Sequence, residues 1–224
     1  MTIALLRKCN VLAHRGLWIE RPHAKNSLAA IEEAVIEGFG IETDIRDHDG
    51  ELVIEHDLPL AQKKQLSVRT VLNLLKIYTQ STAAFNVKSD GLQQLFCSEL
   101  ERFAPGYDAF FLFDWSLPDG VQWKKMDVSM FSRLSEFEPE PQLLSACKGV
   151  WIDAFLEDFN DFPRLTDSGF TNKKLCFVSP ELHSRDHLCF WYKLKKWIET
   201  NHCRKDEIYL CTDFPEHAYD FFND

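Results

Sequence analysis

The stretch from Val11 to Asp57 decides the fold, and three segments carry its signal: VLAHRG (11–16), GIETD (40–44) and LVIEHD (52–57). Each segment is a short apolar run that ends in charged residues or histidine. Unpaired polar side chains are costly inside a core, so buried strands carry such groups at ends that line a site. The pattern predicts three strands whose polar ends meet at one functional site.

The remainder of the chain repeats the same unit, an apolar strand followed by a helical or helix-length segment. The strands are predicted to end near His14, Asp44, Lys88, Asp114, Arg133, Asp153, Ser179 and Thr212. Apolar strands that alternate with helices are typical of a parallel sheet covered by helices. Eight such units predict an α/β fold, a (β/α)8 TIM barrel formed by one domain over residues 1–224. A doubly wound open sheet is the alternative, but no GxGxxG loop follows any strand.

Local signals define the first elements after VLAHRG. Asn26 or Ser27 is expected to cap a helix that ends at Gly38. The Asp49-Gly50 pair predicts a tight hairpin between the second and third apolar runs.

Composition narrows the class of protein and of partner. Hydrophobic residues make up 45% of the chain and charged residues 27%, as in ordinary globular proteins. The formal net charge of −10 argues against a nucleic-acid partner, which needs a basic face. No apolar run reaches the roughly 18 residues of a membrane span. The seven cysteines form no CxxC pair and suggest reduced thiols in a cytoplasmic protein, with a disulfide framework as the alternative.

His14 and His56 are the candidate acid and base. A histidine taken alone is more often structural, but these two follow neighbouring apolar runs and each adjoins a charged residue, Arg15 or Asp57. Two imidazoles with pKa values near neutrality can divide the proton transfers of phosphoryl transfer. One removes a proton from the nucleophile and the other protonates the leaving oxygen.

Charged residues at the other strand ends suggest a cation site and an anion site. Glu42 and Asp44 are two residues apart on one strand and share a face, and paired carboxylate oxygens suit Mg²⁺ or Ca²⁺. A solvated acidic strand end is the alternative. Arg15 and Lys88 can offset the charge of an oxyanion, or they can simply pair with nearby carboxylates. Further candidates for lining the site are Asp114, Arg133, Asp153, Glu181 and Asp213.

These motifs resemble the glycerophosphodiester phosphodiesterase family of the phosphatidylinositol-phosphodiesterase-like TIM barrels. The His-Arg-Gly, Glu-x-Asp, Asp-Gly and His-Asp elements of the family occur in order within residues 10–60, about a quarter of the chain. FNVK (85–88) and CTDFP (211–215) resemble the family's third and final strands. The resemblance implies His14 and His56 as acid/base pair and Arg15 and Lys88 as phosphate ligands. It also implies that Glu42 and Asp44 bind a divalent cation.

Two positions depart from the family pattern. Lys25 stands where the family often has a glutamate, and Asn86 stands where the third-strand metal ligand is normally an acid. An amide oxygen can still coordinate Mg²⁺ or Ca²⁺, but it brings no charge, so we expect weaker metal binding at Asn86. The added positive charge at Lys25 favours a substrate with extra negative charge.

Three functional hypotheses follow. The first is a metal-assisted phosphodiesterase acting on a small-molecule or glycan phosphodiester, and the second is a lyase that releases a cyclic phosphate. The third is a barrel that binds a phosphorylated ligand without turnover. A looser resemblance of the HRGLW segment (14–18) to chains encoded among bacterial surface-polysaccharide genes suggests a glycerol-phosphate-containing substrate. The oligomeric state is not defined by the sequence.

Overall fold

A computed structural model describes residues 4–60, 64–201, 203 and 206–224. Ten strands and six α-helices occur in this part of the chain. The strands are β1 (Val11–His14), β2 (Gly40–His48), β3 (Glu51–Ile54), β4 (Leu66–Ser67), β5 (Ala83–Val87), β6 (Phe110–Phe113), β7 (Phe131–Leu134), β8 (Gly149–Ile152), β9 (Lys174–Val178) and β10 (Ile208–Thr212). The helices are α1 (Leu28–Ile36), α2 (Val68–Leu75), α3 (Gln93–Phe103), α4 (Leu117–Trp123), α5 (Leu188–Thr200) and α6 (Pro215–Asn223).

Eight of the strands form a closed parallel barrel. Its neighbours are β1–β2, β2–β5, β5–β6, β7–β8, β8–β9, β9–β10 and β10–β1, all parallel. The remaining junction, between β6 and β7, is a single parallel bridge between Leu112 and Met130. The predicted (β/α)8 barrel is confirmed, and all eight predicted strand ends belong to barrel strands.

The hairpin after β2 lies outside this parallel set. β2 continues beyond the barrel to His48, turns through Asp49 and Gly50 at positive φ, and pairs antiparallel with β3. The positive φ values of 50° and 80° suit the tight turn that the Asp-Gly pair predicts. Because β3 runs back toward the barrel, the segment after Ile54 returns to the mouth, where Glu55 N donates to Asp44 O at 3.2 Å. The short strand β4, which pairs with β3, was not predicted.

Side-chain alternation divides the barrel into an interior and a helix-facing surface. Successive residues of a strand point to opposite faces. Interior apolar side chains form one buried cluster: Leu12, Ala84, Phe111, Phe113, Phe131, Trp151, Cys176, Val178, Tyr209 and Cys211. Two residues further along the same rows come His14 after Leu12, Asn86 after Ala84 and Asp153 after Trp151. The polar residues at the carboxyl-terminal ends of these strands therefore point to the same side of the sheet as the apolar residues of the barrel interior.

The first helix packs on this barrel as its sequence predicts. Ser27 is the N-cap, with its hydroxyl accepting from Ala30 N at 3.2 Å, and Ile31 and Val35 are buried. Gly38 follows the helix at φ +84°, a conformation that favours glycine. In the described ranges no helix has both the length and the apolar character needed to cross a membrane.

Candidate active site

A cavity of about 430 Å³ opens at the carboxyl-terminal ends of the barrel strands. Six of the seven predicted site residues line it: His14, Arg15, Glu42, His56, Asn86 and Lys88. The seventh, Asp44, is fully buried beneath them. The strand registers explain this grouping, since His14 pairs with Glu42 across β1–β2 and Asp44 pairs with Asn86 across β2–β5. The structure thus brings the seven residues together, and their individual roles stay predictions.

His14 is held by a carboxylate from the last barrel strand. Its Nδ1 lies 2.6 Å from Asp213 Oδ1, and its Nε2 lies 3.9 Å from Glu42 Oε2. Asp213 is fixed in turn by Glu181, whose Oε1 accepts from the Asp213 backbone N at 3.1 Å. Glu181 also accepts from the Thr212 hydroxyl. Glu181 and Asp213, both predicted as lining residues, lie outside the cavity lining. Asp213 contacts His14 directly, and Glu181 supports Asp213.

His56 reaches the same mouth by way of the β2–β3 hairpin. Its Nδ1 lies 2.8 Å from Asp57 Oδ1, and its side chain is 43% exposed. Both histidines thus direct Nδ1 to a carboxylate. When Nδ1 carries the proton that it donates to that carboxylate, Nε2 becomes the nitrogen that can accept or donate a proton.

Asp44 is a buried carboxylate beneath the cavity that forms ion pairs with two lining cations. Its Oδ2 lies 3.0 Å from Arg15 Nε and accepts from Asn26 Nδ2 at 2.8 Å, while its Oδ1 lies 3.2 Å from Lys88 Nζ. Arg15 adopts φ +60° at the end of β1, which turns the chain away from the strand direction. Asn26, considered in the sequence only as a helix cap, is therefore part of the site. Two cations that could bind phosphate are paired with one carboxylate here.

The oxygen atoms of this region fit a hard divalent cation. Glu42 Oε2, Asp44 Oδ1 and Asn86 Oδ1 are buried and make no hydrogen bond, although Lys88 Nζ lies close to the Asp44 atom. Buried polar atoms without hydrogen bonds are unusual, and oxygen atoms of this kind are the ligands of Mg²⁺ and Ca²⁺. Within the described residues no group of three or more His, Cys, Asp or Glu side chains is arranged for a metal. Two of the three buried oxygens belong to carboxylates, and the third belongs to the Asn86 amide.

Burial changes the ionisation of two carboxyl groups near this set. Burial, followed by the Asp44 carboxylate, raises the pKa of Glu42 well above its ordinary value, although Arg15 and Lys88 oppose the shift. Burial also raises the pKa of Asp114 to about 6, against the opposing effect of Arg133. Asp114 accepts from Asn86 Nδ2 at 3.1 Å and from Arg133 Nη1 at 3.1 Å. The Asn86 amide nitrogen is thereby engaged, which leaves its oxygen for another partner.

A third histidine on the opposite wall was missed by sequence reasoning. His183 Nε2 lies 2.7 Å from Asp153 Oδ1, and its ring centroid lies 4.9 Å from that of Phe155. Asp153 and Arg133, both predicted as lining residues, do line the cavity. His183 follows β9 by five residues in a short 3-10 helix, Pro180–His183, rather than at the strand end. Its closeness in sequence to the end of β9 was the available signal.

A larger cavity of about 710 Å³ lies near the opposite end of the barrel. It is lined by the end of α3, by residues that precede β6, β7 and β8, including Asp108, Ser129 and Lys148, and by Lys174, the first residue of β9. In TIM-barrel enzymes the catalytic residues lie at the carboxyl-terminal face instead. The smaller cavity is therefore the candidate active site, because six of the predicted site residues line it.

Comparison with solved structures gives the same fold as the one that the motifs imply. A crystal structure described as a candidate glycerophosphodiester phosphodiesterase from Galdieria sulphuraria matches with a TM-score of 0.75 and 14% identity over 98% of this chain and 99% of that one. A glycerophosphodiester phosphodiesterase from Parabacteroides distasonis matches with a TM-score of 0.72 and 16% identity, covering 95% and 96%.

A glycerophosphodiester phosphodiesterase from Agrobacterium tumefaciens matches with a TM-score of 0.64 and 12% identity, covering 94% of this chain and 99% of that one. No protein-family model matches the sequence, and neither does any curated protein sequence. The chain therefore has, over nearly its whole length, the TIM-barrel fold of structures described as glycerophosphodiester phosphodiesterases, in agreement with the resemblance of its motifs.

Proposed function

We propose that this chain is a metal-assisted phosphodiesterase that uses His14 and His56 as its general acid/base pair. The observation that carries the proposal is that both imidazoles lie at the mouth of one cavity, each with its Nδ1 at hydrogen-bonding distance from a carboxylate. Arg15 and Lys88 line the same cavity. The substrate is a small-molecule or glycan phosphodiester that contains glycerol phosphate. The names of the structurally similar proteins support this substrate class.

The two histidines divide the proton transfers of the reaction. One Nε2 removes a proton from the attacking hydroxyl, which comes from water or from the substrate, and the other protonates the leaving alcohol oxygen. Asp213 and Asp57 keep the two rings oriented and stabilise each imidazolium when it forms. Arg15 and Lys88 offset negative charge that develops on the non-bridging phosphoryl oxygens. Since both cations contact Asp44, substrate phosphate competes with that carboxylate for them.

Glu42, Asp44 and Asn86 are the residues that would hold Mg²⁺ or Ca²⁺. Each of them has a buried oxygen that makes no hydrogen bond to the described residues, and these oxygens support this part of the proposal. A bound cation would act as a Lewis acid on a phosphoryl oxygen. It would also favour the ionised form of Glu42, whose carboxyl pKa burial otherwise raises.

A cytoplasmic location and the absence of a nucleic-acid partner belong to the same proposal. The net charge of −10 opposes binding to a nucleic-acid backbone. Among the seven cysteines, Cys147, Cys176 and Cys211 are buried with free thiols. Buried thiols of this kind suit a reducing compartment.

The test is hydrolysis of glycerophosphoglycerol by purified protein with added Mg²⁺ or Ca²⁺. His14→Ala and His56→Ala should each lower kcat by about 10²- to 10⁴-fold, the usual contribution of general acid/base catalysis. His48→Ala is the matched control, because His48 lies at the tip of the β2–β3 hairpin, outside the cavity lining. Circular dichroism should show that all three variants fold. Unchanged turnover in either cavity-histidine variant would contradict the mechanism.

The lyase hypothesis shares this site and differs in the nucleophile. Reaction in ¹⁸O-labelled water should place the label in glycerol phosphate if the enzyme is a hydrolase. A lyase releases a cyclic phosphate without the label, which phosphorus NMR detects.

A binding protein without turnover is the second candidate function. The observation in its favour is that Asp44 already forms ion pairs with Arg15 and Lys88. In addition, Asn86 brings no negative charge to the proposed metal ligands. Calorimetry with a non-hydrolysable phosphonate analogue separates the cases. Binding in EDTA, combined with no turnover in Mg²⁺ or Ca²⁺, supports the binding protein.

A further inference from the structure

Lys25 differs from every other basic side chain that lines the active-site cavity. The other lining cations and histidines each have a carboxylate partner: His14 with Asp213, Arg15 and Lys88 with Asp44, His56 with Asp57, Arg133 with Asp114 and Glu138, and His183 with Asp153. Across the described residues, Lys25 forms no ion pair. Lys25 is thus a positive charge at the mouth that no acidic side chain of the described chain neutralises.

The position of Lys25 is nevertheless defined by a neighbouring ring. Its Nζ lies 4.0 Å from the centroid of the Trp18 indole. Trp18 is held by its Nε1, which donates to His14 O at 3.0 Å. The backbone N of Asn26, the next residue, donates to Arg15 O at 3.0 Å. Lys25 therefore lies next to the end of β1, where His14 and Arg15 line one wall of the cavity.

This arrangement disfavours a cationic headgroup on the substrate. An indole face is the preferred platform for a quaternary ammonium ligand. Here the chain's own ammonium lies over the Trp18 ring, and Lys25 lines the cavity, so a choline group at this position would meet a like charge. A choline-bearing phosphodiester is therefore a poor match for this part of the mouth.

The charge of the cavity suits a more anionic substrate. A phosphodiester carries one negative charge, and Arg15 and Lys88 are the two cations that the proposed function assigns to it. The lining contains four Lys or Arg residues (15, 25, 88 and 133) and three Asp or Glu residues (42, 114 and 153). Among the residues that the structure describes, Lys25 is the member of this set without an ion-pair partner, although the protein carries 35 acidic residues against 25 Lys and Arg.

We propose that Lys25 binds a second anionic group of the substrate and thereby selects phosphodiesters whose alcohol part carries a phosphate monoester or a carboxylate. The inference rests on the proposed phosphodiesterase function. It names the substrate class of that same site. Lys25 here determines specificity and takes no part in the proton transfers.

The test compares kcat/KM for four substrates that share glycerol phosphate and differ in the alcohol. They are glycerophosphocholine, glycerophosphoglycerol, glycerophosphoglycerol with a terminal phosphate monoester, and glycerophosphoglycerate. The wild-type protein should prefer at least one of the two anionic substrates over glycerophosphoglycerol by about tenfold or more, since a charge-assisted contact is involved. Preference for only one of them identifies the anion as phosphate or carboxylate. Glycerophosphocholine should be the poorest of the four.

Two substitutions of Lys25 provide the discriminating readout. Lys25→Met should abolish the preference for the anionic substrates, and Lys25→Glu should invert it in favour of glycerophosphocholine. Lys76→Met is the matched control, because Lys76 is an exposed residue at the end of α2, away from the cavity. That variant should keep the wild-type order of substrates.

Three results would overturn the inference, and they are distinguishable. If the wild-type protein has equal kcat/KM for glycerophosphoglycerol and both anionic substrates, the inference about Lys25 is wrong and the proposed function still stands. An equal loss on all four substrates in Lys25→Met assigns Lys25 to the scissile phosphate instead. No turnover of any substrate by folded wild-type protein overturns the proposed function and this inference with it.

Discussion

Asp213 Oδ1 and His14 Nδ1 lie 2.6 Å apart, which joins the last strand of the barrel to the first. The two residues are 199 positions apart in the sequence and meet because β10 pairs with β1 and closes the barrel. The side chains of both are mostly buried, with 14% of His14 and 11% of Asp213 exposed. Barrel closure therefore orients the candidate catalytic imidazole.

Asp213→Asn should lower kcat far more than it changes KM. The amide keeps the shape of the side chain but removes the negative charge that stabilises imidazolium and selects the tautomer. We expect kcat to fall by about 10- to 100-fold, less than the roughly 10²- to 10⁴-fold that general acid/base catalysis contributes, because the imidazole itself is still present. Proton NMR provides a readout beyond activity, because the His14 Nδ1–H resonance of the wild-type protein should be lost or shifted upfield. A variant with normal kcat and an unchanged resonance would show that the pair does not orient His14.

Gly16, the glycine of the His-Arg-Gly motif, should be intolerant of any side chain. It has φ +87°, and a Cβ built there would lie 2.5 Å from Ala30 C and 2.7 Å from Ala30 O. Gly16→Ala therefore combines left-handed strain of roughly 1–2 kcal/mol with a clash against the backbone of α1. We expect a total loss of about 3 kcal/mol or more in the free energy of unfolding, measured by urea denaturation.

Gly91→Ala is the matched control for Gly16→Ala. Gly91 has nearly the same φ, +86°, but no atom lies within 4 Å of its built Cβ. That substitution should cost only the strain, about 1–2 kcal/mol. Equal losses for the two variants would show that the close approach between Gly16 and α1 contributes nothing.

The sequence predicted the barrel well because its signals are local. Each apolar run is long enough for one strand, and the polar residue after it marks the carboxyl-terminal end of that strand. Barrel closure is different, since it depends on pairings between residues distant in sequence. The β6–β7 junction rests on one bridge, Leu112 to Met130, and no local pattern indicates it.

The candidate site was predictable to the same degree and for the same reason. His14, Glu42 and Asn86 lie on the barrel strands β1, β2 and β5, so the barrel rule places them at one mouth. Asn26 lies in a loop and His183 lies in a short 3-10 helix, where sequence periodicity does not indicate the direction of a side chain. Their contacts with Asp44 and Asp153 arise from tertiary packing, which spacing alone does not define.

Asn86→Asp should strengthen binding of Mg²⁺ or Ca²⁺. The substitution adds a charged oxygen beside Glu42 and Asp44, and we expect about tenfold tighter binding by calorimetry, equivalent to about 1.4 kcal/mol. Without metal the new carboxylate lies against Asp114, which now accepts from the Asn86 amide, so the variant should also lose stability in EDTA. The sign of the stability change should therefore depend on metal.

Asn201→Asp is the control for that experiment, because Asn201 is an exposed residue at the end of α5. It should leave the metal affinity unchanged. Any loss of stability from its lost hydrogen bond to Trp197 O should be the same in EDTA and in metal. Metal affinity that is equal in Asn86→Asp and the wild-type protein would remove Asn86 from the proposed ligand set.

Tyr107 should make folding stability fall at alkaline pH. Its hydroxyl lies 2.7 Å from Ser81 O and 2.9 Å from Ala109 O, and burial raises its pKa far above the ordinary value. Because the folded state holds the proton more tightly, this stabilisation is complete below the pKa of the unfolded chain, about 10, and is lost as pH rises above it. The loss amounts to about 1.4 kcal/mol per pH unit for this group. Burial raises the pKa of Tyr209 in the same direction.

Tyr107→Phe should separate this contribution from the rest. At pH 7 it should cost about 1–2 kcal/mol, because two buried carbonyls lose a donor. Above pH 10 the decline in unfolding free energy with pH should be shallower than in the wild-type protein, because Tyr107 no longer contributes while Tyr209 and the buried thiols of Cys147, Cys176 and Cys211 still do. Tyr192→Phe, at an exposed position on α5, should change neither value. Urea titrations at pH 7, 10 and 11 measure all three proteins, and parallel pH curves for Tyr107→Phe and wild type would contradict the assignment.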